Sequence, residues 1–478
     1  MRIDHLSRKI GLALTGGNDA SVNLEDVLAR ALSEPVDRRA PASIRSDTSE
    51  ILPWPQHLTF SLSDRIDRLI QHREKKDALE RQGLNDTQLG LRQQELDREY
   101  SVFHLDIYRF FHAGRFGTDD VRQRLSYFWL NHFTVGAKET TPELIGDYWD
   151  NVITSGLDGS FADLLYSATK HPAMLTYLDN IYNIGGNSPK ARECSHADCV
   201  IGLNDNLGRE LMELHSVSPA RGYSETDINE AAKVLAGWGN IFDKPFRAPP
   251  TDYYSPWEAY HSEPGEKTVV GKIIPEGPNG LRVLTDHLAS DNFTADFLSR
   301  KLVQHFVGEP TSEADVVRVR DVWLATGGRL PDVHREVLLI AAESPAKKFL
   351  WPLIWAFQVQ RMSGATLAKG IDEIDTEMMD DAERDPKWLM GELGNSFWSE
   401  RQPNGFSDRK SDWISTEHLD RRIRFASLVH DHGQLERSAD EIITEQGLSE
   451  ATAALVAKGG TPRDKFVLLM CSPEVMEV

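Results

Sequence analysis

Apolar positions along this chain fall mostly at the three- and four-residue spacing of helices rather than the alternation of strands. Met1–Leu32 reads as two short helices joined at Gly16 and Gly17, and Asp37–Pro55, rich in Pro, Ser and Asp, as part of a loop reaching residue 60. Leu62–Arg81 and Thr87–Ala113 are charged helices separated by Gly83, an expected antiparallel hairpin. Thr118–Phe133 follows, with Leu125, Phe128, Trp129 and His132 at helical spacing. Thr141 and Pro142 open another helix, His171-Pro172 restarts one, and 185–199 is read as a loop. Leu207, Leu211 and Leu214 then form a stripe on a helix beginning near Asn204. Gly222 permits a turn, and Ser224 with Asp227 predicts a capped helix running to Trp238.

The pattern changes between Phe242 and Pro278, which is rich in Pro, Tyr, Trp and Gly. Its one β candidate is Lys267–Ile274, read as a short hairpin or edge strand. Helical spacing returns from Leu281. Gly308 and Gly327-Gly328 are expected helix stops, with Ser312 capping the helix between them. Asp372–Asp385 carries eight acidic residues in fourteen and reads as a solvated loop within an insertion over 364–386. Trp388–Trp413 is read as irregular, and helices from Thr416, Ser438, Ser449 and Thr461 complete the chain. The expected fold is mainly α, one large helical domain over 1–478 with a small β hairpin and an irregular insertion at 242–280. No repeat of fixed period is present.

Composition adds limits. Hydrophobic residues make up 40% and charged residues 27% of the 478, an ordinary globular balance. No apolar run approaches the roughly 20 residues of a membrane span. Met1–Gly17 has only a short apolar piece, Ile10–Leu14, too short for a secretory signal. A cytoplasmic location is therefore expected, or a periplasmic one reached together with an exported partner. The net charge of −21, with no Lys/Arg run, argues against nucleic-acid binding. Cys194 and Cys199 flank His196 in CSHADC, which leaves open a disulfide, a Cys/His metal clip or two thiols. Cys471 reads as a small buried side chain. Walker A, HExxH and GxSxG signatures are absent, as is a GxGxxG following a strand.

The candidate chemistry lies in NDNLGRELMELHSVSPARGYSETDINEAAKVLAGW, residues 204–238. Asn206, Glu210 and Glu213 sit at i, i+4 and i+7, within about 40° of one line on a helix. Arg209 is four residues before Glu213 and within reach of it. His215 falls instead on the leucine side. A carboxylate stripe beside a leucine stripe places carboxylates at the edge of a core. There one Glu is a candidate general acid/base, with its pKa raised by burial. The structural alternative is that Glu210 and Glu213 pair with Arg209 and cap neighbouring backbone.

The same stretch, N-D-N-x-x-R-E-L-M-E-L-H followed by G-Y-S-x-x-D and A-x-x-L-x-G-W, resembles the bacterial DUF1800 family. So do FWLNHF (128–133), HPAMLTYLDN (171–180), Leu298–Val307, Gly391–Trp413 and Leu468–Pro473, so the resemblance spans nearly the whole chain. It implies a family without carrying a reaction. It makes His132, His171 and His215 the candidate imidazoles, since they lie in the matching segments. A divalent metal held by Glu210, Glu213, His132 and His171 is one expectation, because helical metal sites use inward carboxylates and histidines. Asn204, Asn206, His132, His171 and His215 are the candidate binding residues, and Glu210, Glu213 and Arg209 the candidate catalytic ones. The resemblance also implies a second class of function. In it the chain is a non-catalytic interaction, maturation or export partner of a DUF1501-type protein, itself similar to the alkaline phosphatase and sulfatase fold.

Overall fold

The structure, a computed structural model, describes residues 3–13, 24–43, 50–194, 201–239, 257–374, 384–400 and 402–478. Helices dominate, and the only sheets among the described residues are two antiparallel pairs. One pair joins β1 (Arg39–Pro41) to β2 (Ile51–Pro53), inside the stretch read as a loop. The other joins β3 (Lys267–Val269) to β4 (Lys272–Ile274), where the hairpin was expected. No described helix is long and apolar enough to cross a membrane.

Local chemistry sets many boundaries. Ser61 and Asp64 form a capping box on α1 (Leu62–Glu80), and the Asn85 side chain accepts from Gln88 N at 2.9 Å to start α2 (Asp86–Tyr100). These two helices form the expected hairpin. The helix expected over Thr87–Ala113 is interrupted, however. The Glu143 carboxylate accepts from Ser101 Oγ at 2.8 Å and Val102 N at 2.7 Å, and α3 (Phe103–Phe116) starts afresh. A side chain some forty residues away satisfies the Val102 N–H that helix continuation would have used. Three other readings also change, here through local bonds. Pro189–Glu193 and Pro386–Leu393 are helical within stretches expected to be irregular. Glu373, in the acidic segment, is buried and accepts from Gly370 N at 2.7 Å. Residues 375–383 of that segment lie outside the described residues.

Buried apolar side chains from Leu6 to Val478 join into one cluster. At its centre Phe110 of α3 packs against Trp398, Tyr127 and Trp149 at centroid distances of 4.7, 5.0 and 5.1 Å. The helix α4 (Asp120–His132) is buried along its whole length. Most of its polar residues are bonded, the buried Tyr127 hydroxyl being an exception. Ser126 Oγ lies 3.0 Å from Thr154 Oγ1, Asn131 Nδ2 donates to Phe406 O, and Arg124 Nε donates to His305 Nε2 at 3.1 Å.

Beside α3 runs a buried ion network. Arg65 grips Asp106 through two bonds of 2.6 and 2.8 Å, and Arg109 bridges Asp106 to Asp150. Asp150 sits in a π-helical turn, Tyr148–Thr154, which brings its carboxylate to both Arg109 and Arg38. The helices that carry the site are α5 (Pro172–Tyr177), α6 (Asn206–Glu213), α7 (Glu225–Leu235) and α8 (Asn292–Phe306).

Candidate functional site

The helix α6 has only eight residues, and its surroundings hold it in place. Asn204 Oδ1 accepts from Asn206 N at 3.1 Å, while Asn204 N donates to Asn183 Oδ1 at 3.1 Å. Asn183 and Asn180 donate in turn to the carbonyls of Ala232, Leu235 and Trp238. This ladder satisfies the C-terminal carbonyls of α7 and docks the start of α6 beside them. Of the two expected binding residues here, Asn204 uses its side chain in this cap, whereas Asn206 is exposed and joins it through its backbone N–H. Asn206 Nδ2 also donates to Asp179 Oδ2 at 3.4 Å, and Asp179 is ion-paired with Lys138.

Along α6, Leu207 and Leu211 of the expected leucine stripe are fully buried and Glu210 and Glu213 are half-buried at the edge, but Leu214 is only partly buried and Met212 takes its place in the core. Arg209 reaches Glu213 as expected, but its hydrogen bonds go to other carboxylates. It makes a two-pronged bond to Glu225 of α7, at 3.1 and 2.9 Å, and a third to Asp205 at 2.9 Å. It stands 3.9 Å from Glu213. The fork of the guanidinium fits the Glu225 carboxylate, and that pairing holds its charge on more firmly still.

Glu210 is left over. Its carboxylate makes no hydrogen bond or ion pair with a described residue. Burial raises its pKa, the nearby Glu213 carboxylate raises it further, and Arg209 offsets part of this. Two phenols share its field. Tyr177, buried at the end of α5, donates to Glu400 O at 3.1 Å, and its ionisation is suppressed by burial, Glu400 and Glu210. Burial and Glu213 push the Tyr223 phenol up to about 12, with Glu210 adding to the effect. Burial also raises the Glu400 carboxyl. The result is a half-buried acidic face: Glu210, Glu213 and Glu400 with two protonated phenols.

The inner side of α6 is basic. Its end is held by a tight turn in which His215 N donates to Glu210 O at 3.0 Å and Ser218 N to Met212 O at 2.9 Å. His215 is 1% exposed, its Nε2 has no hydrogen-bond partner, and burial lowers its pKa to about 3. Its ring lies 6.0 Å from that of His132. His132 Nε2 meets His215 O at 3.2 Å and its Nδ1 meets Lys301 Nζ of α8 at 3.0 Å.

His171 lies in neither group. Its Nδ1 accepts from Ala173 N at 3.1 Å as the cap of α5, and its Nε2 lies 3.2 Å from Asp147 Oδ2. The expected metal centre of Glu210, Glu213, His132 and His171 is thus not assembled. Both imidazoles are engaged elsewhere, and no group of three or more His, Cys, Asp or Glu among the described residues is placed to hold a metal. Cys194 is disulfide-bonded, whereas His196 and Cys199 lie outside the described residues. Cys471 is free and half-buried.

Sequence reasoning missed Lys301, Tyr177, Tyr223 and Glu400. All four sit within segments that resemble the family, but nothing in their spacing points toward α6. A comparison with family models matches residues 5–476 to a family described as "Protein of unknown function (DUF1800)". The chain belongs to the DUF1800 family. No curated protein and no solved structure matches it. In this DUF1800 chain the family-like segments converge on α6. FWLNHF supplies His132, HPAMLTYLDN supplies Tyr177 and Asn180, and Leu298–Val307 supplies Lys301.

Proposed function

We propose that this chain is an enzyme working by acid–base chemistry on the outer face of α6, with Glu210 as the proton-transferring group. One observation carries the reading: Glu210 is half-buried, unpaired and next to a like-charged carboxylate, so its proton is held more tightly than that of an ordinary Glu. A carboxylate kept only for stability would be expected to take a partner, as Glu225 takes Arg209 on the same surface. Glu213 supplies the neighbouring negative charge, and Tyr177 and Tyr223 supply protonated hydroxyls for orienting a substrate. The proposal draws on no metal, because the histidines expected to complete such a site are bonded elsewhere.

The test is a panel of ester, amide, glycoside and phosphoester substrates, assayed with the parent protein and with Glu210→Gln. Turnover by the parent and a loss of roughly 100-fold or more in the variant, at unchanged melting temperature, is the expected result. Turnover equal in both proteins sinks the assignment of Glu210. Turnover in neither, with retained capture of a DUF1501-type protein by both, overturns the enzyme reading in favour of the interaction role. Metal analysis of protein purified without an affinity tag accompanies the panel and is expected to show no stoichiometric divalent ion.

A further inference from the structure

Lys301 differs from the other buried cations of this protein in what holds it. Arg65, Arg109 and Lys348 each meet a carboxylate, while Lys9, Arg115, Arg361 and Arg422 donate to backbone carbonyls. Lys301 meets no carboxylate within ion-pair distance among the described residues, and its hydrogen bond is to the His132 imidazole, at Nδ1, at 3.0 Å. The helix explains its position. Leu298, Leu302, Val303 and Phe306 turn α8 into the core, and Lys301 sits half-buried on the flank with its Nζ 5.5 Å from the centroid of the Phe297 ring.

The hydrogen bonds also settle the tautomer of His132. Its Nε2 faces a carbonyl oxygen, which can only accept, so the ring proton is on Nε2 and Nδ1 offers a lone pair to Lys301. The imidazole therefore orients the amine without neutralising it. His215 adds the unpartnered, buried Nε2 close by, near enough for the Lys301 charge to depress its protonation. The charged and titratable groups that reach the amine are His132, His215 and Asp408, the last already bonded to His305 and Lys348.

We propose that Lys301 is a nucleophilic amine that captures carbonyl compounds, with His132 as its positioning residue. The neutral amine attacks the carbonyl carbon. A C–N bond forms, the carbonyl π electrons move to oxygen, and an amine proton passes to that oxygen to give a carbinolamine. Loss of the second amine proton and of the hydroxyl as water leaves the imine. Burial agrees with this role, since it lowers the Lys301 pKa to about 8. The chemistry is independent of the Glu210 assignment, and imine formation is expected to survive Glu210→Gln.

The experiment is reductive trapping. Intact protein is treated briefly at pH 7 with acetaldehyde, and separately with glyoxylate, in the presence of cyanoborohydride. Adducts are then quantified at each lysine by peptide mass spectrometry. An amine with a pKa near 8 is about one-tenth neutral at pH 7, against roughly one in a few thousand for an ordinary lysine. Lys301 is therefore expected to label at least ~10-fold faster than the exposed Lys76, with the margin closing near pH 10. His132→Asn, which offers a differently placed acceptor, is expected to shrink the margin while the protein stays folded. Labelling of Lys301 no faster than Lys76 in the folded parent overturns the proposal and leaves the amine a structural cation. Enrichment that His132→Asn does not alter overturns the positioning role.

Discussion

Glu210 and Glu225 are carboxylates on adjoining helices with opposite fates. Glu225 is exposed, and the Arg209 hydrogen bonds hold its pKa below the usual range. Glu210 is half-buried with its pKa raised. A group whose folded pKa lies above its unfolded value adds stability that is fully present below the unfolded pKa and lost as pH rises through the folded one. Glu210→Gln is therefore expected to melt at the same temperature as the parent near pH 4, and at the same or a higher temperature at pH 7 to 8. Scanning calorimetry across that range checks it, and a variant less stable at pH 8 contradicts the absence of a stabilising partner. The stripe of Asn206, Glu210 and Glu213 was legible from helical spacing alone. The partner of Arg209 was not, because Glu225 sits sixteen residues away on a separate helix and only its packing brings the two together.

At the level of elements, the turn after α6 carries the most strained residue near the site. Ser218 has φ 59° and ψ 164°, a region that glycine occupies without penalty and a side chain does not. The strain persists because Ser218 N is bonded to Met212 O and the following Pro219 starts a short 3-10 turn. Ser218→Gly is expected to raise stability by about 1 kcal/mol, read as a shift in the urea midpoint at constant slope. A loss of stability would show that the Ser218 hydroxyl contributes more than its long bond to Ala220 N suggests. Helix starts were among the most legible features. Ser224 with Asp227 forms a capping box, Ser312 accepts from Asp315 N, and Gly327 ends its helix in the left-handed conformation. Caps depend on residues within three or four positions, so local order suffices. The break at Ser101–Val102 depends on Glu143 and left no local trace.

Across the whole molecule, stability rests on charges and imidazoles withdrawn from water. Asp106 is held between Arg65 and Arg109, all three nearly inaccessible to solvent. Asp106→Ala leaves two buried guanidinium groups short of a partner, and a loss of about 3–5 kcal/mol in chemical denaturation is expected. Acid should unfold the protein for a related reason. Burial lowers the pKa of His112 and His305 to about 4 and of His215 and His334 to about 3. Their folded pKa values lie below the unfolded one, so the stability they support is present above about pH 6.5 and is lost as pH falls through their folded values. Urea midpoints should therefore drop steeply between pH 6.5 and 4, with protons taken up on unfolding at pH 5. A flat profile over that interval would mean that these rings are hydrated.

The helical class, the β3–β4 hairpin, most caps, the family and a half-buried carboxylate edge on α6 were all readable from the residues alone. Each of these follows from spacing, from short-range hydrogen bonds, or from motifs long enough to be specific. Packing between distant segments set which polar groups meet. It gave Arg209 to Glu225, His171 to Asp147 and His132 to Lys301, and it left Glu210 unpaired. The physical reason is that a buried polar group must find its partner wherever packing places one, and in a fold of many short helices that partner is often scores of residues away.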